Sequence, residues 1–160
     1  MVTEEQRAAV LSEIDRELAA VSGAESSMDA AMRTIAENLP HYNWVGVYLL
    51  YGDTLELGPY VGAATDHTRI PVGSGVCGTA VAQNANQVVD DVRALDNYLA
   101  CSVETRSEIV VLIRDPESGS ILGQIDADGH VVGAFDASDE ALLEVIAARL
   151  APRLMAASTA

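Results

Sequence analysis

The sequence predicts an α+β domain in which helices cover an antiparallel sheet. Two segments with helical spacing come first, β-hairpin patterns follow, and one more amphipathic segment lies near the end of the chain. Helices and sheets must both bury an apolar face, so these elements are expected to share one core. The length of 160 residues suits a single domain over residues 1–160.

The first two helices are predicted to form a helical hairpin over residues 3–39. Thr3 and Gln6 have the spacing of a capping box at the start of the first helix. A second helix is expected to begin near Ser26 or Ser27 and to end before Pro40. Apolar residues recur at helical intervals in the first helix at Leu11, Ile14, Leu18 and Val21, and in the second at Met28, Met32, Ile35 and Leu39.

Strand patterns occupy a sheet core predicted over residues 43–129. The first pair turns through Gly52-Asp53 and the last through a turn at 115–119, so each is expected to be a β-hairpin. The predicted strand segments are 44–50, 54–57, 87–90, 108–114 and 121–128. A C-terminal helix is expected over residues 137–155, because Leu142, Ile146 and Leu150 share one helical face.

Two loops contain the cysteines. Residues 73–78 include three glycines before a small, helix-favouring run, which predicts a tight loop leading into a short helix at Cys77. A helix N-terminus favours anions and lowers the pKa of a thiol. This loop has neither the lysine nor the spacing of a phosphate-binding loop. Residues 91–107 form a polar loop with Cys101, and long loops in compact domains are usually functional or disordered.

Composition argues against several classes of partner. The net charge is −15 and all nine basic residues are arginine, so nucleic acid and anionic membrane are not expected as partners. A simpler explanation of the negative charge is that it keeps the surface solvated and the protein soluble. No apolar run approaches the roughly 18 residues of a membrane span, and the polar start of the chain lacks the features of a secretory signal. A soluble, cytoplasmic protein is therefore expected.

In that compartment the two cysteines are expected to be reduced at rest. Two reduced cysteines are better explained as catalytic, redox-active or merely buried residues than as a structural disulfide. The histidines at 41, 67 and 130 show no ligand spacing with them, so no metal site is expected.

Three acidic residues are candidates for chemistry. Asp126 and Asp128 lie two apart on a predicted strand and share one face, and Glu108 begins the adjoining strand. If this hairpin pairs, the three carboxyls converge near the departure of the Cys101 loop. Crowded carboxyls raise at least one pKa, so the cluster can supply a proton near pH 7 or hold an ammonium group. The alternative is that Asp126 and Asp128 line a solvated strand end.

A thiol beside acids suits a reaction that needs a nucleophile and a proton donor together. Negative neighbours raise the pKa of a cysteine, which is unfavourable in a hydrolase. Reduction of a sulfoxide fits better, because the thiol sulfur attacks the sulfoxide sulfur and the oxygen leaves only when protonated. The cysteine becomes a sulfenic acid, which a second thiol can convert to a disulfide and an external dithiol can then reduce.

The first strand offers aromatic residues to the same region. Trp44, Gly46 and Tyr48 alternate on one face, so Gly46 leaves a gap between two aromatic side chains. This gap is either a ligand slot or room for a packed neighbour.

From residue 43 to the last helix, the chain resembles the GAF-type free methionine-(R)-sulfoxide reductases. The motifs occur in one order: Asn43-Trp-Val-Gly-Val-Tyr48, Leu57-Gly-Pro59, Arg69-Ile-Pro-x-Gly-x-Gly-Val-Cys-Gly78, Asp90-Asp-Val92, Ala100-Cys101, Ser107-Glu-Ile-Val110, Ile125-Asp-x-Asp128 and Phe135-Asp136. The resemblance implies a GAF fold with a central antiparallel sheet of about six strands. It also implies a homodimer that reduces free methionine-(R)-sulfoxide, with no bound cofactor and with an external dithiol such as thioredoxin as reductant.

The resemblance also assigns roles to residues. It implies that Cys101 is the attacking cysteine and that Cys77 is a second cysteine of the family. The carboxyls that bind substrate and supply protons are then Glu108, Asp126 and Asp128, and the aromatic residues around the methyl end of the substrate are Trp44 and Tyr48.

One departure from the family pattern concerns His67. The family commonly has a further cysteine at this position, two residues before the Arg-Ile-Pro motif. The sulfenic acid is then resolved by Cys77 or by an external thiol, or the protein does not turn over. The alternative function is a GAF-type domain that senses small molecules or oxidants and has lost catalysis. A lone loop histidine can also be solvent-exposed and inert.

Overall fold

The computed structural model describes residues 1–96, 98 and 103–158, with side chains up to residue 155. Within these residues it has four α-helices, six strands and one 3-10 turn, so the predicted α+β class is confirmed. The helices are α1 (Glu4–Ala20), α2 (Ala24–Asn38), α3 (Gly75–Gln83) and α4 (Ala137–Ser158). The strands are β1 (Trp44–Tyr51), β2 (Thr54–Val61), β3 (Arg69–Pro71), β4 (Gln87–Val89), β5 (Ser107–Arg114) and β6 (Ile121–Gly129), and the 3-10 turn is Val92–Ala94.

The six strands form one antiparallel sheet in the order β3-β2-β1-β6-β5-β4. Helices α1, α2 and α4 pack on one face, which includes Val45, Val47 and Ile125 and is called the helical face here. Helix α3 packs on the opposite face with Trp44 and Tyr48, called the pocket face. Among the described residues, no helix combines the length and apolar character that a bilayer crossing requires.

The N-terminal hairpin forms as predicted, with one difference at its second helix. The capping box is present, because Thr3 Oγ1 accepts from the Gln6 N–H at 3.0 Å and Gln6 Oε1 accepts from the Thr3 N–H at 2.9 Å. Helix α2 begins at Ala24 rather than at Ser26 or Ser27. Ser27 Oγ donates to the carbonyl of Gly23 at 2.6 Å, so this serine lies inside the first turn and does not cap it.

Strand β2 is longer than predicted because it continues through a bulge. Tyr48 pairs with Leu57 and Gly46 pairs with Tyr60, so Gly58 and Pro59 together oppose one residue of β1. A bulge tolerates proline, since the residue has no N–H to donate to the ladder. The consequence is that Tyr60 lies beside the aromatic residues of β1.

The start of α4 is fixed by a buried carboxylate, Asp139. Its Oδ1 lies 2.6 Å from His41 Nε2 and accepts from the hydroxyl of Tyr42 at 3.0 Å. Its Oδ2 accepts from the Asp136 N–H at 2.9 Å and lies 3.1 Å from the ammonium of Met1. Burial alone raises the pKa of Asp139, but these partners outweigh it and lower the pKa to about 2.

Candidate active site

The three predicted acids converge on the pocket face. Glu108 pairs with Asp128 between β5 and β6, and Asp126 lies opposite Gly46 of β1. Glu108 is 3% exposed, Asp126 is 0% and Asp128 is 1%, although all three are ionisable. The predicted convergence is confirmed, and the solvated strand end is wrong.

Helix α3 brings Cys77 to these acids. Its Sγ lies 3.9 Å from Glu108 Oε2, and the cysteine is buried. Close packing of the preceding loop against α3 depends on Gly78, because a Cβ atom there would lie 2.5 Å from the carbonyl oxygen of Pro71. On the same face, Gln124 Nε2 donates to the carbonyl of Cys77 at 3.2 Å. The sequence did not identify Gln124 as a site residue, but its alternation with Asp126 would have placed it on this face.

The acids favour their neutral forms. Burial, followed by the nearby charges of Asp126 and Asp128, raises the pKa of Glu108 well above its usual range. Burial likewise raises the pKa of Asp126. Within the described residues, neither oxygen of Asp126 accepts a hydrogen bond from an N–H or a hydroxyl group, and its neighbours are Glu108 and Cys77. The cluster can therefore hold a proton near neutral pH or receive a cation.

An aromatic wall adjoins the acids. The ring of Trp44 stacks on Tyr60 at a centroid distance of 5.4 Å and on Tyr48 at 6.5 Å. Trp44 Nε1 donates to the carbonyl of Ala63 at 3.0 Å. A Cβ atom on Gly46 would lie 2.7 Å from Trp44 Cη2 and 2.7 Å from Tyr60 Cβ. The gap at Gly46 is therefore filled by packed neighbours and is not an open slot.

A small cavity of about 10 Å³ lies beside the acids, which is room for about one water molecule. Its walls come from β3, from the first turn of α3 and from the two strands with the acids. The lining residues are Ile70, Ser74, Gly75, Val76, Cys77, Glu108 and Asp126. The contribution of Ile70 was not foreseen, because a three-residue strand has too little pattern to be detected in sequence.

His67, which takes the place of the family's further cysteine, also lies near this site. The hydroxyl of Tyr48 donates to the backbone carbonyl of His67 at 2.8 Å, and the side chain of His67 is half-buried. Cys101 lies outside the described residues, so its role remains a prediction. Tyr98 is described, and it packs against the apolar cluster that includes Cys77. Thr105, at the other end of this segment, is buried.

The sheet order, the covering helices and the buried acid and thiol cluster define a GAF-type domain. The family model described as GAF domain matches residues 25–154. Over 142 residues the chain is 39% identical to the free methionine-R-sulfoxide reductase of Escherichia coli (strain K12), which covers 86% of this chain and 84% of that protein. The chain therefore belongs to the free methionine-R-sulfoxide reductase family of GAF-domain proteins.

Two solved structures agree with this relationship. The free methionine-R-sulfoxide reductase of Neisseria meningitidis, solved in complex with its substrate, superposes with a TM-score of 0.89 at 32% identity, covering 99% of this chain and 95% of that one. The type II enzyme of Thermoplasma acidophilum superposes with a TM-score of 0.79 at 41% identity, covering 83% and 93%.

Proposed function

We propose that this protein reduces free methionine-(R)-sulfoxide to methionine. The family relationship supports the reaction, and the main structural support is the buried cluster in which the Cys77 sulfur lies 3.9 Å from a Glu108 oxygen. Three buried carboxyls beside an aromatic wall on one face of the sheet suit a small zwitterion with an apolar end.

The acids explain a preference for the free amino acid. An ammonium group placed among Glu108, Asp126 and Asp128 receives charge-assisted hydrogen bonds that are stronger than neutral ones. A methionine sulfoxide within a peptide has an amide in place of this ammonium, so it has no charge to offer the acids. The methyl end of the substrate is then directed to Trp44 and Tyr48, which are buried on the same face.

Cys101 performs the chemistry in this proposal. Its sulfur attacks the sulfoxide sulfur while a proton from the Glu108 and Asp126 pair goes to the sulfoxide oxygen. The attack forms a sulfur–sulfur bond, and the protonated oxygen moves to the cysteine sulfur as the sulfur–oxygen bond of the substrate breaks. Cleavage of the sulfur–sulfur bond then releases methionine and leaves the cysteine as a sulfenic acid. The sulfoxide gains two electrons and the cysteine loses two.

Recycling needs a second thiol and an external reductant. The chain has two cysteines, so Cys77 is the internal candidate, and its condensation with the sulfenic acid releases water and forms a disulfide. A thioredoxin-type dithiol then supplies two electrons. Mass spectrometry after one equivalent of substrate distinguishes the routes, because an intramolecular disulfide identifies Cys77 and a persistent sulfenic acid identifies an external thiol. A cytoplasmic homodimer is part of the same proposal.

A thioredoxin-coupled assay with the free (R)-sulfoxide tests the function. Wild-type protein should consume it, while Cys101→Ser and assays with the (S)-epimer or a peptide-bound sulfoxide should give only background. If the wild type is no faster than Cys101→Ser, the protein is not this reductase. The sensing alternative is favoured by His67 in place of the family's cysteine. It predicts that the sulfoxide binds and is recovered unchanged in excess dithiol.

A further inference from the structure

The acid and thiol cluster has the composition of a metal site as well as that of a catalytic one. One sulfur and two carboxylate oxygens, from Cys77, Glu108 and Asp126, all lie within 4.8 Å of one another. Zn²⁺ binds thiolate at about 2.3 Å and carboxylate at about 2.0–2.2 Å in tetrahedral sites, which places such ligand atoms roughly 3.5 Å apart. The separation of 3.9 Å between Cys77 Sγ and Glu108 Oε2 is therefore within a few tenths of an ångström of binding geometry.

A second observation concerns Asp126. Its side chain is fully buried, and both its oxygens lack an N–H or hydroxyl donor among the described residues. Buried carboxylates in proteins are ordinarily paired or bound to metal. The neighbours of Asp126 in the cluster, Glu108 and Cys77, can share a proton with it but bring no positive charge. A cation would supply that charge, and the overall charge of −15 favours cation entry.

We propose that Cys77, Glu108 and Asp126 form a binding site for one thiophilic divalent cation of the Zn²⁺ type, which excludes substrate while it is bound. Sulfur among the ligands selects Zn²⁺ over Mg²⁺ and Ca²⁺, which prefer oxygen alone. Three protein ligands leave a fourth position for water. The site uses no histidine, so histidine spacing in the sequence could not reveal it.

The competition, unlike the binding, rests on the proposed function. The same carboxyls cannot hold both the ammonium group of an amino acid and a divalent cation. Methionine at about 100 times its own dissociation constant should therefore weaken the apparent Zn²⁺ affinity by about 100-fold. Metal binding would make the reductase sensitive to free zinc and would protect Cys77 from oxidation while the ion stays bound.

Equilibrium dialysis of the reduced, metal-stripped full chain against buffered Zn²⁺ tests the site. One ion should bind per chain. Cys77→Ser should weaken binding by about 100-fold or more, since even the outer partners of metal ligands are worth 10–100-fold. Asp126→Asn should weaken it at least about tenfold. The matched control is Glu25→Gln, an exposed acid in α2, which should bind as the wild type does.

Co²⁺ provides a readout that does not depend on variants. The wild-type complex should show a thiolate-to-cobalt charge-transfer band together with the strong visible absorption of tetrahedral Co²⁺. Binding that survives Cys77→Ser with unchanged affinity, or a cobalt spectrum without the thiolate band, would overturn the proposal. Because these measurements involve no turnover, they are independent of the reductase assay on metal-free protein. A chain that binds zinc and is inactive would contradict the proposed function alone.

Discussion

Replacement of Asp126 by asparagine is expected to stabilise the fold while weakening the enzyme. Burial raises the pKa of this carboxyl in the folded protein, whereas in the unfolded chain it ionises with a pKa near 3.9. Its contribution to stability is therefore fully present below about pH 4 and is lost as the pH rises toward the folded pKa. Asparagine does not ionise, and its amide can donate to the neighbouring Glu108. An unsatisfied buried polar group costs about 1–3 kcal/mol, so Asp126→Asn should gain about that much at pH 8.

Thermal and urea denaturation at pH 4 and pH 8 measure this gain. Each kcal/mol corresponds to about 2–4 °C in Tm for a chain of this size, and the gain should shrink at pH 4. In the coupled assay kcat/KM should fall by roughly 10–150-fold, because a hydrogen bond to a charged group contributes about 1.5–3 kcal/mol. The control is Asp29→Asn, an exposed acid 2.9 Å from Arg33, which should change stability by less than about 1 kcal/mol. Loss of stability at both pH values would refute the reasoning.

Three further predictions concern other residues of the fold and the site. Gly46→Ala should lower the free energy of unfolding in urea denaturation by about 1–3 kcal/mol, because the alanine methyl group would overlap the Trp44 ring. An unchanged midpoint of denaturation would show that the ring moves freely. Asp139→Asn should cost about 2 kcal/mol at pH 6, since the folded pKa of about 2 lies below that of the unfolded chain. The difference between variant and wild type should shrink below about pH 4 and be lost as the pH falls through 2, and a constant difference would contradict this explanation. In a pH profile, wild-type kcat should fall as the pH rises through the raised pKa of Glu108, the proposed proton donor. Glu108→Gln should be slower and should lack this decline at alkaline pH. A variant that keeps the decline would show that another group donates the proton.

The sequence predicted the site where local periodicity determines it. Alternation along one strand places Asp126 and Asp128 on the same face, and a short hairpin turn brings Glu108 opposite Asp128. These relations depend on neighbouring strands joined by a tight turn, so they can be read from residue spacing. The helices and their burial follow in the same way from apolar periodicity.

Features that depend on tertiary packing were missed or misjudged. The bulge at Gly58-Pro59 reads as a strand end, yet β2 continues and Tyr60 stacks on Trp44. The fate of the gap at Gly46 depended on that stack, so alternation alone could not decide between a slot and packing. The 3.9 Å approach of Cys77 to Glu108 likewise requires α3 to cross the sheet, a contact between distant segments that no local pattern encodes.

The central pairing of β1 with β6 joins the first strand of the sheet to the last. During synthesis, the residues up to β6 must leave the ribosome before Trp44 can pair with Asp128. No shortened or half-assembled form can then possess the recognition surface, since its walls come from both halves of the polypeptide. Binding of the amino acid by newly synthesised protein would therefore indicate that the whole sheet has formed. A ligand of this site would stabilise destabilised variants only after the sheet is complete.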